Sequence, residues 1–229
     1  KGKGGAFCVP ARKLAEIAGT LDGPLTLEPL ENHWVRIASN GTKTKMVGIA
    51  ADNFPELAAA PAGNGLLLPA GRFLSALRRV RFAISNEESR YALRGALLEI
   101  KDGKVRVVAT DGHRLALIEF AVAGAVGDVR CIVPRNALAA LDSIPGDDDG
   151  NISFSEKDNS IFFRMGKEGA VTTLGARKLE GQFPNYLAVL PGDAPTQVVI
   201  GRDVLRDGFK RVMPLADDRS WAVKVEVDA

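Results

Sequence analysis

The chain has 229 residues, 46% of them hydrophobic and 25% charged, with a formal net charge of +2 at pH 7. This balance excludes a disordered chain, and the length is enough for one large domain or several small ones with a real core. No apolar run approaches the about eighteen residues of a membrane helix, no export signal opens the chain, and so small a net charge does not by itself demand a nucleic-acid partner.

The chain opens on KGKGGAF without an initiating Met, which reads as a start inside a longer protein. AFCVPARKLAEIAG then gives a short apolar strand, Pro10, and an amphipathic helix carrying Arg12 and Lys13. LTLEPL, HWVRIAS and KTKMVGIA read as three strands, with SNGT (39–42) as a hairpin turn, and DNFPELAA closes the stretch with Phe54. GLLLPAGRFLSALRRV repeats the strand–Pro–helix plan at Pro69. In its helix Phe73, Leu77 and Val80 line one face, and Arg72, Arg78 and Arg79 line the other with no acid to pair them. ALRGALLEI, KVRVVATDG and RLALIEFAV follow as strands, linked by KDGK (101–104). The plan returns in VRCIVPRNALAALDSI at Pro134, with Arg135 behind it, followed by NISFSE, SIFFRMG and AVTTLGARK. GQFPNYLA then echoes DNFPELAA, Phe183 standing 129 residues after Phe54. TQVVIGRDVLRDGFKRV is the fourth copy, at Gly201, with Arg206 and Lys210 on its helix and MPLADD, including Leu215, after it.

The pivots Pro10, Pro69, Pro134 and Gly201 are 59, 65 and 67 residues apart, a repeat of strand, helix and three strands. Such units make an α+β fold with antiparallel sheets. Because the FP segment recurs only after every second unit, the domain is a pair of units. The expected division is 1–64 as the second half of one domain, 65–192 as a complete domain, and 193–229 as the first half of a third. Cys8 and Cys131 lie in apolar runs and read as buried, reduced thiols, which fits a cytoplasmic protein.

Charge is unevenly spread. The helix windows 11–19, 70–85, 135–144 and 202–213 hold eleven basic and four acidic residues, leaving the remainder of the chain net acidic. A repeated helix with a cationic outer face suits phosphates, and no aromatic interleaves these cations, so sequence readout is not indicated.

ATDGHRLAL (109–117) concentrates polar groups around one of only two histidines, the other being His33. No HExxH, CxxC or GxxxxGK occurs, so no catalytic set, metal site or cofactor is expected, and Asp111 is expected to cap a turn. The rival reading makes Asp111 and His113 an acid–base pair of an enzyme.

SRYALRGALLEI, ATDGHRLAL and EGQFPNYLAVLP, taken with the paired repeat, resemble the bacterial sliding clamp, the β subunit of DNA polymerase III holoenzyme, along essentially the whole chain. The resemblance implies a non-catalytic processivity factor acting in the cytoplasm, a head-to-tail homodimer of three-domain subunits with helices lining a ring and sheets outside. The partners it implies are duplex DNA bound without sequence preference, the polymerase α subunit, the clamp loader, and other polymerases and repair proteins with short linear motifs. Its DNA-facing residues would be Arg12, Lys13, Arg72, Arg78, Arg79, Arg135, Arg206 and Lys210. Its partner-peptide pocket would use Arg90, Leu93, Thr110, Gly112, His113, Arg114, Leu115, Pro184 and Val189, and its subunit interface Phe54 and Leu215. Ala188 stands where better-known members carry a basic residue, which removes one polar contact. A non-replicative paralogue with the same pocket and other partners fits the same residues.

Overall fold

The computed structural model describes residues 6–63, 65–122, 127–144, 149–167, 169–192, 197–216 and 222–226. Each pivot ends in a helix: α1 (Ala11–Ala18), α2 (Ala70–Val80), α3 (Arg135–Ser143) and α4 (Arg202–Val212). Proline suits the junction because its locked φ matches the extended residue before a helix, and its missing N–H falls among groups that lack a helical partner. Gly201 adopts the same backbone, with φ −62° and ψ 127°, so the fourth pivot keeps the geometry without the ring.

The first sheet holds β1 (Thr26–Pro29), β2 (Trp34–Ser39) and β3 (Thr42–Val47), antiparallel in chain order. Val35, Ile37 and Met46 are its buried hydrophobic residues, and Leu14 and Ile17 of α1 lie against them. The remaining strands are β4 (Leu66–Pro69), β5 (Gly95–Lys101), β6 (Lys104–Thr110), β7 (Leu115–Ala121), β8 (Val129–Pro134), β9 (Asn151–Lys157), β10 (Ser160–Lys167) and β11 (Ala170–Arg177). Asn40–Gly41 and Asp102–Gly103 turn two of the hairpins with positive φ at both residues, the twist that suits a two-residue connection.

Sheet order departs from the simple repeat. In the two central units, the opening strand does not join the three strands of its own unit. β4 pairs with β9 in the sheet β11-β10-β9-β4, and β8 pairs with β5 in the sheet β7-β6-β5-β8. The two units thus exchange their leading strands, which the linear pattern does not encode.

Alternation along the strands sorts their faces. Ala96, Leu98 and Ile100 of β5, and Val105, Val107 and Ala109 of β6, enter one core with Phe73, Leu74, Leu77 and Val80 of α2 and Leu138 and Leu141 of α3. Phe163 of β10 sits at its centre, with ring centroids 5.9 Å from Phe73 and 5.3 Å from Phe154. On the opposite face of the same sheet, register aligns Ile132, Leu97, Val108 and Leu117 in one row, and Arg130, Glu99, Arg106 and Glu119 in another. Arg106 bridges Glu119 at 2.6 Å and Glu99 at 3.4 Å, so charges of alternating sign cross the sheet.

Both cysteines are free thiols; Cys131 is buried and burial pushes its pKa up to about 12, while Cys8 is half-buried, not buried as its apolar run implied. The chain divides into two compact units, Lys1–Gly181 and Gln182–Ala229. The second contains the short turn Tyr186–Val189 and α4, which has no buried residue among those described. Among the described residues no helix is long and apolar enough to cross a membrane.

Candidate functional site

β6 ends at Thr110 and β7 begins at Leu115, so Asp111, Gly112, His113 and Arg114 form the connection. Its hydrogen bonds are supplied locally. Asp111 Oδ1 accepts the backbone N–H groups of His113 and Arg114, each at 3.0 Å, and Asp111 Oδ2 accepts Arg114 Nε at 3.0 Å. Thr110 Oγ1 donates to the Arg114 carbonyl at 2.8 Å and accepts the Gly112 N–H at 3.1 Å. Asp111 therefore caps the turn, as its position suggests. Its carboxylate engages the His113 backbone N–H and the Arg114 side chain, which is the work of a turn and not of an acid–base pair. Gly112 is required by its φ of +89°, and a Cβ there would also displace Arg90 Nη1.

The donors hold the Asp111 carboxyl below the usual aspartate value of 3.8, the His113 N–H contributing most and burial opposing it. A depressed folded-state pKa stabilises the turn above the unfolded value and loses that stabilisation as pH falls through the folded one. Asp111 is expected to titrate below 3.8 in a carboxyl-detected NMR experiment. A midpoint at or above the ordinary value would contradict this arrangement.

The flanks of the turn are also built. Arg90 and Leu93 come from the segment between α2 and β5, where Leu93 N–H donates to the Arg90 carbonyl at 2.9 Å. Arg90 Nη1 reaches the Asp111 carbonyl at 2.8 Å. Arg114 lies over the Phe82 ring, 5.6 Å from its centroid. Leu93 is 9% exposed and offers little surface, whereas Leu115 is half-buried. The predicted residues Arg90, Leu93, Thr110, Gly112, His113, Arg114 and Leu115 thus share one corner of the first unit. Pro184 and Val189 belong to the second unit, where both are exposed. Phe82 and Glu87, which hold Arg114 and Arg90, were not found by sequence reasoning; a lone Phe after a helix and an acid three residues before an Arg carry no distinctive signal.

The cationic faces need one correction. Arg78 is not without an acid: its Nε donates to Asp142 Oδ1 at 2.6 Å, and Arg81 joins Asp142 Oδ2 at 3.2 Å. The Asp142 partner comes from α3, 64 positions away, so helix periodicity could not reveal it. The Arg78 hydrogen bond is the first cause holding the Asp142 carboxyl below its ordinary value. Arg12 pairs with Glu16, Arg206 with Asp203 and Asp207, and Arg135 with Asn86 and the Ile84 carbonyl. Among the described residues Lys13, Arg72, Arg79 and Lys210 have no acidic partner. A cleft of about 650 Å3 at the start of α3 is lined by Tyr91, Arg94, Arg135 and Asn136, with no carboxylate in its wall. Phe54 and Leu215 are both strongly exposed, at 57% and 87%. No cluster of three or more His, Cys, Asp or Glu side chains that could hold a metal occurs among the described residues.

Residues 67–185, just over half of the chain, match the model of the DNA polymerase III beta subunit, central domain. The chain belongs to the DNA polymerase III beta subunit family. Similar members include the beta sliding clamp of Synechococcus elongatus, 32% identical over 234 residues that cover 99% of this chain and 60% of the relative. The Escherichia coli beta sliding clamp is 27% identical over 224 residues, covering 97% of this chain and 60% of its own length. The chain thus spans about 60% of these family members. Among solved structures, the DNA polymerase III subunit beta of Pseudomonas aeruginosa superposes with a TM-score of 0.80 at 27% identity, over 93% of this chain and 58% of that one. A sliding clamp from the same organism bound to griselimycin gives 0.79 at 28% identity, over 94% and 58%. The α+β fold expected from the repeat, and the clamp fold that the resemblance implied, are therefore the fold of this beta-subunit chain.

Proposed function

We propose that the chain is the part of a DNA sliding clamp comprising the second half of one domain (1–64), a complete central domain (65–192) and the first half of a third (193–229). It serves as a non-catalytic processivity subunit in the bacterial cytoplasm. The observation that carries this reading is the outer face of α2, where Arg72 and Arg79 have no acidic partner among the described residues, on a chain that is net acidic outside its four helix windows. Cations spaced along repeated helices meet phosphates without reading bases, which suits a protein that must slide. In the complete protein the helices line a ring around duplex DNA, and the sheets form its wall. Two copies close the ring head to tail, with Phe54 and Leu215 on the two sides of the subunit interface. The Asp111 turn, together with Leu115 beside it, receives short linear motifs of the polymerase α subunit, the clamp loader, other polymerases and repair proteins. A pocket of this kind supplies apolar area for a Leu or Phe anchor and backbone access at Gly112.

The complete protein is expected to remain on circular plasmid and to slide from linear duplex of the same sequence. Arg79→Glu is expected to weaken DNA binding roughly tenfold at about 0.1 M salt, the loss of one phosphate contact, for every sequence tried. Arg78→Glu should do less than Arg79→Glu, because Arg78 is already paired with Asp142. Equal retention on linear and circular DNA, or a strong base preference, would overturn the reading.

A further inference from the structure

Two arginines flank the Asp111 turn, and both are spent on the turn itself. Arg114 is fixed between Asp111 Oδ2 at 3.0 Å and the Phe82 ring. Arg90 divides its guanidinium between two acceptors. Its Nη1 donates to the Asp111 carbonyl at 2.8 Å, and its Nε faces Glu87 Oε2 at 2.9 Å. A Cβ at Gly112 would meet the same Nη1, so the guanidinium occupies the space that a side chain there would need.

We infer that Arg90 is a positioning residue of the peptide pocket and not one of its contacts: it holds the Asp111–Gly112 backbone in place, and Glu87 aims it. The inference rests on the reading of this turn as a peptide-binding wall. A planar guanidinium has donors pointing in fixed directions and can serve a carbonyl and a carboxylate together, which the single ammonium of Lys cannot do in the same geometry. The Asp111 carbonyl would otherwise face solvent at the start of a left-handed glycine, where the chain can swing. With Arg90 in place, the Gly112 N–H bonded to Thr110 and the two N–H groups on Asp111 Oδ1 form a closed set. Glu87 carries no expected contact with a ligand, so its removal separates aiming from touching.

The test compares Arg90→Gln, Arg90→Lys and Glu87→Ala in the complete protein by amide hydrogen exchange and by calorimetric titration of a synthetic peptide carrying Gln-x-x-Leu-Phe. The geometry requires all three variants to speed exchange at Gly112, His113 and Arg114 by about three- to tenfold, the loss of one charge-assisted hydrogen bond at a partly exposed site. Exchange in β6 and β7 should stay as it was. Peptide binding should weaken by a similar factor in each, and adding Glu87→Ala to Arg90→Gln should cost nothing more. Recovery of binding in Arg90→Lys would overturn the inference, because a charge contact with the peptide survives that change. So would weakened binding in Arg90→Gln with unchanged exchange in the turn. Should the unaltered protein fail to bind the peptide, the peptide-wall reading fails, and the exchange rates alone decide whether Arg90 holds the turn.

Discussion

Replacing Phe163 with Ala is expected to cost about 3–5 kcal/mol of folding free energy, the loss for an aromatic removed from a packed core. Phe163 is fully buried in β10, paired in register with Phe154 on one side and Leu174 on the other. Its ring is stacked on Phe73 of α2 with an interplanar angle of 25° and tilted against Phe154. One side chain thus ties the sheet containing β10 to the helix that opens the domain, and the surrounding aromatic rings are too rigid to close the space it leaves. Guanidinium denaturation measures the change. Phe82→Ala is the comparison: that ring is 58% exposed and its contact is with Arg114, so the loss should be about 1 kcal/mol. A Phe163 variant within about 1 kcal/mol of the unaltered chain would mean that this core collapses readily, against its packing.

Peptide affinity is expected to follow apolar burial and not protonation. Full burial of a Leu or Phe anchor is worth about 1.5–3 kcal/mol, so losing much of it weakens binding by roughly tenfold to a hundredfold. Leu115 is the half-buried member of the wall, and its exposed part is what an incoming side chain covers. Leu115→Ala in the complete protein is therefore expected to lower affinity for a Gln-x-x-Leu-Phe peptide within that range. His113→Ala should lose less, because the contact His113 makes to the turn is through its backbone N–H. Titration calorimetry from pH 5.5 to 8 separates the two. Binding that collapses as the pH falls, with Leu115→Ala harmless, would reverse these roles.

Much of the fold was legible because its signals are local. Proline at three pivots and Asn-Gly or Asp-Gly at hairpin tips each specify a short stretch of backbone. The cap at Asp111 was legible for the same reason, since its donors lie two and three residues on. What stayed hidden depends on pairing between distant segments. Asp142 meets Arg78 only after α2 and α3 are brought together, and Leu93 sinks to 9% exposure only when β5 and the turns around it are in place. The exchange of β4 and β8 was invisible too, because any short leading strand can add to any antiparallel edge.

That exchange bears on how such a chain could grow or shrink. β4 completes the sheet of the unit after its own, and β8 completes the sheet of the unit before. A single inserted unit would bring three strands without their fourth and a leading strand without an edge to join, exposing backbone donors and acceptors to any passing strand. Gain or loss of one unit is therefore disfavoured as an intermediate. An architecture reciprocated in this way changes length by twos.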